Sequence, residues 1–174
     1  MQTQRLDRET LVAVWRTLAT REDHTDAGYE LGPVGELIIG REKDPWHQIL
    51  VTDVFCQLAG QLGPRAALYT PVITSTFGIR VPDVVWMPDE KWPDVDDDTP
   101  LAFVPDLCVE VLSGNAAHAA GLANRVSAYL RSGAEEVIVV GHDGTVEFRG
   151  RDGIRSSSIY KVRLELDTLL FANH

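Results

Sequence analysis

Two acidic residues stand in apolar stretches where a buried strand ordinarily carries none. Arg80-Val81-Pro82-Asp83-Val84-Val85-Trp86 predicts a strand from Val84 to Met87 with Asp83 at its lip. Val104 to Ser113 predicts a fully buried strand over Leu107 to Leu112, with Glu110 inside it. A carboxylate buried in a strand is costly unless it is paired, hydrogen-bonded or bound to a metal. Two of them on neighbouring strands point to a divalent cation held by oxygen ligands.

The other acids are weaker partners for Glu110. Asp106 lies four residues earlier on the same strand, so the two side chains share a face but sit roughly 13 Å apart. One small ion cannot touch both, and Asp106 is expected to cap or turn the chain. Asp89 and Asp94 fall in a Pro/Asp-rich loop over 88–100. Its run Asp94 to Asp98 lacks the glycine and glutamate spacing of a calcium loop and reads as a solvated loop. Asp83 opens the preceding strand, and adjacent pairing brings it beside Glu110. A third acid, Glu36, sits between Gly35 and the apolar Leu37-Ile38-Ile39, where it is either a ligand or an exposed hairpin residue. His47, near the start of a helix, reads as a surface or capping residue. Arg125 supplies a cation if its helix returns over the sheet. It lies four residues before Tyr129, so both share one helix face. Such a set suits metal-assisted hydrolysis of a phosphodiester. The ion would polarise the phosphate and acidify a bound water, and the cation would stabilise charge in the transition state.

The elements that must position these groups follow from periodicity and turn residues. Residues 7–20 predict an amphipathic helix capped by Asp7. Tyr29–Leu31 and Gly35–Ile39 predict a hairpin around Gly32-Pro33. A second helix starts at Asp44-Pro45 and stops at Gly63-Pro64. Ala66–Thr76 predicts a strand interrupted by Pro71. A third helix is expected near 119–132, ended by Ser132-Gly133. Glu136–Val140 and Thr145–Phe148 predict further strands, Ile159–Leu166 a last one, and Leu169–Phe171 an apolar tail. Helices and strands in this order predict an α/β fold, a mixed central β-sheet flanked by helices.

The 174 residues suffice for one domain spanning 1–174, and 44% hydrophobic with 24% charged residues is a globular composition. The formal net charge of -10 disfavours broad non-specific binding of nucleic acid, which needs a basic surface. Cys56 and Cys108 both lie in apolar stretches and read as buried free thiols. No signal peptide or membrane-length apolar run is present, so a cytoplasmic location is expected.

Tyr29-Glu30-Leu31 with Gly35-Glu36-Leu37-Ile38, His47-Gln48, Arg80 to Val84, Pro105 to Ser113, Tyr129 to Ala134 with Glu136-Val137, and Leu164 to Phe171 form a set of blocks. Together they resemble one family, the restriction-endonuclease-like proteins of the PD-(D/E)XK nuclease superfamily, long catalogued as a domain of unknown function. The resemblance implies a restriction-endonuclease-like core and Mg²⁺- or Mn²⁺-dependent cleavage of DNA. It implies DNA as substrate; apart from the resemblance, no membrane partner is expected and a homodimer is an option. Asp83 and Glu110 would be the motif's two acids and Glu36 the family's N-terminal glutamate, giving Glu36, Asp83 and Glu110 as metal ligands and Asp83, Glu110 and Arg125 as catalytic residues. The family's lysine, moved from the strand to the following helix, is Arg125 here. Arginine keeps the charge but cannot serve as a base. The charged residues that the family carries before it are replaced by Asn115-Ala116-Ala117-His118-Ala119-Ala120-Gly121.

Arg125 and that bare segment also fit a degenerate relative that keeps the fold and acts as a non-catalytic interaction module. Retention of Asp83 and Glu110 favours the enzyme. A glycosidase pair formed by the same acids would want an aromatic sugar platform, which the sequence lacks.

Overall fold

A computed structural model describes residues 4–21, 28–39, 44–75, 77–93, 99–114 and 116–167. The chain runs α1 (Arg8–Ala19), β1 (Tyr29–Leu31), β2 (Leu37–Ile39), α2 (Pro45–Leu62), β3 (Ala66–Leu68), β4 (Val72–Thr74), β5 (Gly78–Arg80), β6 (Val84–Trp86), β7 (Leu107–Val111), α3 (Ala116–Arg131), β8 (Glu136–Val140), β9 (Val146–Gly150) and β10 (Gly153–Arg155). A short 3-10 turn covers Asp89–Lys91.

The strands form two sheets. The larger has six strands in the order β10-β9-β8-β7-β6-β3, and the smaller has four in the order β2-β1-β5-β4. In the larger sheet only the β7–β8 pair is parallel, as the α3 crossover between them requires. The expected mixed α/β architecture is therefore present, with a second sheet that the sequence did not announce.

Alternation along β7 builds the two sides of the larger sheet. Leu107, Val109 and Val111 pack with Leu50, Val51, Val54 and Leu58 of α2. Cys108 faces the opposite way and packs with Leu122, Val126 and Tyr129 of α3. The smaller sheet has its own apolar cluster, in which Leu31 and Ile79 meet Leu11 and Trp15 of α1.

The Asp7 side chain accepts from the Thr10 N–H and caps α1, and Asp44 accepts from the Trp46 N–H and caps α2, with Pro45 in its first turn. The expected single strand over Ala66–Thr76 is two strands in different sheets. The chain leaves the larger sheet at Tyr69 (φ 47) and enters the smaller one past Pro71. The third helix begins earlier than expected, at Ala116, since alanines propagate a helix without apolar spacing.

Ile159–Leu166 is not a strand. Its backbone pairs instead with two glutamines one turn apart on α2. Gln61 donates to the Arg163 carbonyl (2.7 Å) and accepts from its N–H (2.9 Å). Gln57 does the same for Glu165 at 2.9 Å in both directions. Side-chain amides thus replace a partner strand. Cys56 is exposed, against expectation, while Cys108 is buried and its thiol is pushed well above the ordinary range by burial. The Asp94–Asp98 run and the Leu169–Phe171 tail lie outside the described residues. No helix among the described residues is long and apolar enough to cross a membrane.

Candidate active site

Glu110 is fully buried in the middle of β7. The antiparallel register pairs Val84 with Val109, so one step further Asp83 lies across from Glu110. Asp83 is also buried, and its Oδ2 accepts from the Val111 N–H at 2.7 Å. A charge-assisted bond from the main chain partly offsets the cost of burying that carboxylate.

Helix α3 lies over this face and delivers two groups four residues apart. Tyr129 donates its hydroxyl to Glu110 Oε1 at 2.6 Å, and Arg125 donates through Nε to Glu110 Oε2 at 3.1 Å. Burial, then the nearby Glu110 charge, holds the Tyr129 phenol well above its ordinary pKa, so it remains a donor. Burial alone would lower the pKa of Arg125. Attraction to Glu110, Glu30 and Asp83 outweighs it, and Arg125 is held above its already high value.

The smaller sheet supplies the rest of the cluster. The β1–β5 register pairs Leu31 with Ile79, which sets Glu30 opposite Arg80. Gly78 (φ 105) makes that approach possible, because a Cβ there would run into the Leu31 carbonyl. Glu30 Oε2 accepts from Arg80 at 2.7 Å and from Arg125 at 3.0 Å. Its Oε1 accepts from the Val81 N–H at 2.8 Å and from Arg125 at 2.9 Å. Burial depresses the Arg80 pKa, and Glu30 opposes that shift. The Arg125 guanidinium therefore bridges the acids of the two sheets.

Two histidines complete the surroundings. His47, in the first turn of α2, places Nε2 2.9 Å from the Val111 carbonyl and 3.7 Å from Asp83 Oδ2. His118, in the first turns of α3, places Nε2 3.6 Å from Glu110 Oε2.

The structure thus brings Asp83, Glu110 and Arg125 together as expected, and it places Glu36 elsewhere. Glu36 is exposed in the β1–β2 turn, where its carboxylate accepts from the Val34 N–H at 3.0 Å. The acid that joins the cluster is Glu30, which lies between Tyr29 and Leu31 in β1. The signal that marked Glu110, an acid inside an apolar strand, marked Glu30 as well. Asp106 is tied to Lys91 at 2.6 Å and turns the chain at the far end of β7. Asp89 pairs with Arg65 at the surface.

Among the described residues no three His, Cys, Asp or Glu side chains are grouped so as to hold a metal ion. The protein offers Asp83 and Glu110 on neighbouring strands rather than a closed cage. Mg²⁺ is typically held in this open way, by one or two carboxylates with water and substrate phosphate completing its shell. Asp83 and Glu110 are the residues that would hold such an ion.

Residues 15–164 match the sequence model of the Uma2 family, described as "Putative restriction endonuclease". The chain belongs to the Uma2 family. Asp83, Glu110 and Arg125 all lie inside the matched region. The crystal structure of a protein described as a putative nuclease belonging to DUF820, from Anabaena variabilis ATCC 29413, has a similar fold. The TM-score is 0.64 at 16% identity, covering 85% of this chain and 92% of that one. At that identity the likeness speaks for the fold alone. No curated protein matches the chain. Membership of the Uma2 family makes the chain nuclease-like and points to nucleic acid as the class of substrate.

Proposed function

We propose that this Uma2 protein is a divalent-metal-dependent endonuclease that hydrolyses phosphodiester bonds of DNA, with Asp83 and Glu110 as ligands of Mg²⁺ or Mn²⁺. The observation that carries the reading is the pair of buried carboxylates on adjacent strands with the Arg125 guanidinium against them. Replacing buried ionic groups with apolar residues is often stabilising, so stability alone gives no reason to keep them there.

Charge balance supports the reading. Glu30, Asp83 and Glu110 against Arg80 and Arg125 leave one formal negative charge when the histidines are neutral. Adding a divalent cation changes that to one positive charge, the complement of a phosphodiester. Such an ion would polarise the phosphoryl oxygen and lower the pKa of a bound water. The protein's own residues orient and stabilise. Tyr129 and Arg125 fix the Glu110 rotamer by bonding both of its oxygens. Glu30 aims the Arg125 fork, which stabilises negative charge on phosphate and cannot take up a proton. His47 and the Val111 N–H bond to Asp83 hold the strand end in place.

One observation favours a second reading. Arg125 already bonds both Glu30 and Glu110, so the acids are largely compensated without an ion, as they would be in a non-catalytic relative. The two readings separate when labelled duplex DNA and an RNA duplex of the same sequence are incubated with the protein in Mg²⁺, in Mn²⁺ and in EDTA. DNA cleavage only with metal is expected. Cleavage in EDTA, cleavage of RNA alone, or no cleavage of either would overturn the proposal.

A further inference from the structure

The start of α3 is almost bare of chemistry, and His118 is its exception among Ala116, Ala117, Ala119, Ala120 and Gly121. His118 is only 9% exposed. Its Nδ1 accepts from the Ser113 main-chain N–H at 3.4 Å. A main-chain N–H can only donate, so the facing nitrogen carries a lone pair. In a neutral ring the proton then sits on Nε2.

That Nε2 is buried and has no hydrogen-bond partner. Its separation from Glu110 Oε2, 3.6 Å, is too long for a direct bond, and Arg125 already donates to that oxygen. A buried donor left unsatisfied destabilises the fold, because its bond to water is lost and not replaced. An apolar residue in this alanine-rich turn would avoid that cost. The Ser113 N–H also argues against His118 as a metal ligand, since ligation through Nε2 would put a proton on Nδ1 against another N–H.

We infer that His118 is a substrate-contacting residue of this site, a neutral imidazole whose Nε2–H donates to a non-bridging oxygen of a phosphodiester lying over Glu110. The inference rests on the nuclease reading above for the identity of the reaction. As a neutral donor it adds directional stabilisation of the developing charge without competing with Asp83 and Glu110 for a cation.

Two measurements test it, and the first does not depend on cleavage. Long-range ¹H–¹⁵N NMR on the wild type reports the tautomer. His118 is expected as Nε2–H, with its Nε2 signal shifting when a phosphorothioate oligonucleotide is added. An Nδ1–H tautomer or an unmoved signal overturns the inference. The second compares variants in metal-dependent DNA cleavage. His118→Phe should lower kcat roughly 100-fold with KM and Tm near wild type. His118→Gln, which returns an amide donor near Nε2, should recover part of that loss. A wild-type kcat in His118→Phe, or equal losses in both variants that track a fall in Tm, overturns it. A wild type that cleaves nothing counts against the nuclease reading, and the NMR result then decides the His118 contact by itself.

Discussion

The Arg125 guanidinium reaches Glu110 through Nε and Glu30 through both terminal nitrogens, with a side chain 11% exposed. From its spacing to Tyr129 it could equally have been a solvated helix residue. The structure puts it at the centre of the cluster, so truncation has a structural cost beside any effect on the proposed cleavage. Arg125→Ala leaves two buried carboxylates short of their cation, and the expected loss is about 3–5 kcal/mol in denaturant unfolding. Arg125→Lys keeps the charge but cannot bond Glu30 and Glu110 with the same fork. It should lose less stability and retain cleavage. A stability loss under about 1 kcal/mol in Arg125→Ala, the scale of an exposed pair, would show that the bridge does not form in solution.

Tyr129 gives a pH signature at the same scale. Burial raises its folded pKa above the unfolded value of 10.0. Below the unfolded value both states are protonated, so the contribution is intact. Above it the unfolded chain releases a proton that the folded chain keeps, and stability falls as pH rises. Unfolding midpoints between about pH 9 and 11 should drop less in Tyr129→Phe than in wild type. Equal slopes would mean that Tyr129 is not held as described. At this scale the sequence showed the two strand acids clearly, because charge in an apolar strand stands out. It pointed to Glu36 and passed over Glu30, since both sit in one short hairpin and only the β1–β5 register sets Glu30 opposite Arg80.

Strand pairing and helix return do the positioning. β6 and β7 set Asp83 across from Glu110, and the parallel step from β7 to β8 forces α3 back over the sheet, so Arg125 and Tyr129 land on Glu110. These elements were legible because their apolar runs are long and their ends carry caps and glycines. The smaller sheet was less so, because its strands are three residues each and its two hairpins join only through the long-range β1–β5 pairing. The segment after Tyr160 alternates like a strand yet takes its hydrogen bonds from Gln57 and Gln61, a pairing that no local pattern announces. Gln61→Ala should therefore speed amide hydrogen exchange at Arg163 while leaving the β7 amides protected. Unchanged exchange at Arg163 would mean that the glutamine contacts do not hold the segment.

Across the whole molecule the net charge of -10 opposes DNA, so the proposed substrate would have to be held by a small region rather than a broad basic face. Few phosphate contacts release few counterions, and DNA affinity should fall only shallowly with salt. A steep slope, equivalent to roughly six or more phosphates, would place the binding surface somewhere other than this site. A divalent ion that binds the folded state alone also stabilises it by mass action, about 2.7 kcal/mol at one hundred times its dissociation constant. An Mn²⁺-induced rise in melting temperature should be present in wild type and absent from the Asp83→Asn, Glu110→Gln double variant. An equal rise in both would locate the ion elsewhere.

The most direct measurement is DNA cleavage by wild type and Glu110→Gln side by side in Mg²⁺ or Mn²⁺. Melting curves recorded on both proteins would show that the variant is folded. Glutamine keeps the shape and can still meet Tyr129, but it lacks the charge that a cation needs. The expected result is metal-dependent scission by wild type and none above the EDTA background by a folded Glu110→Gln. Cleavage by Glu110→Gln at the wild-type rate, or a wild type inert with every divalent metal, would contradict a nuclease centre built on Asp83 and Glu110.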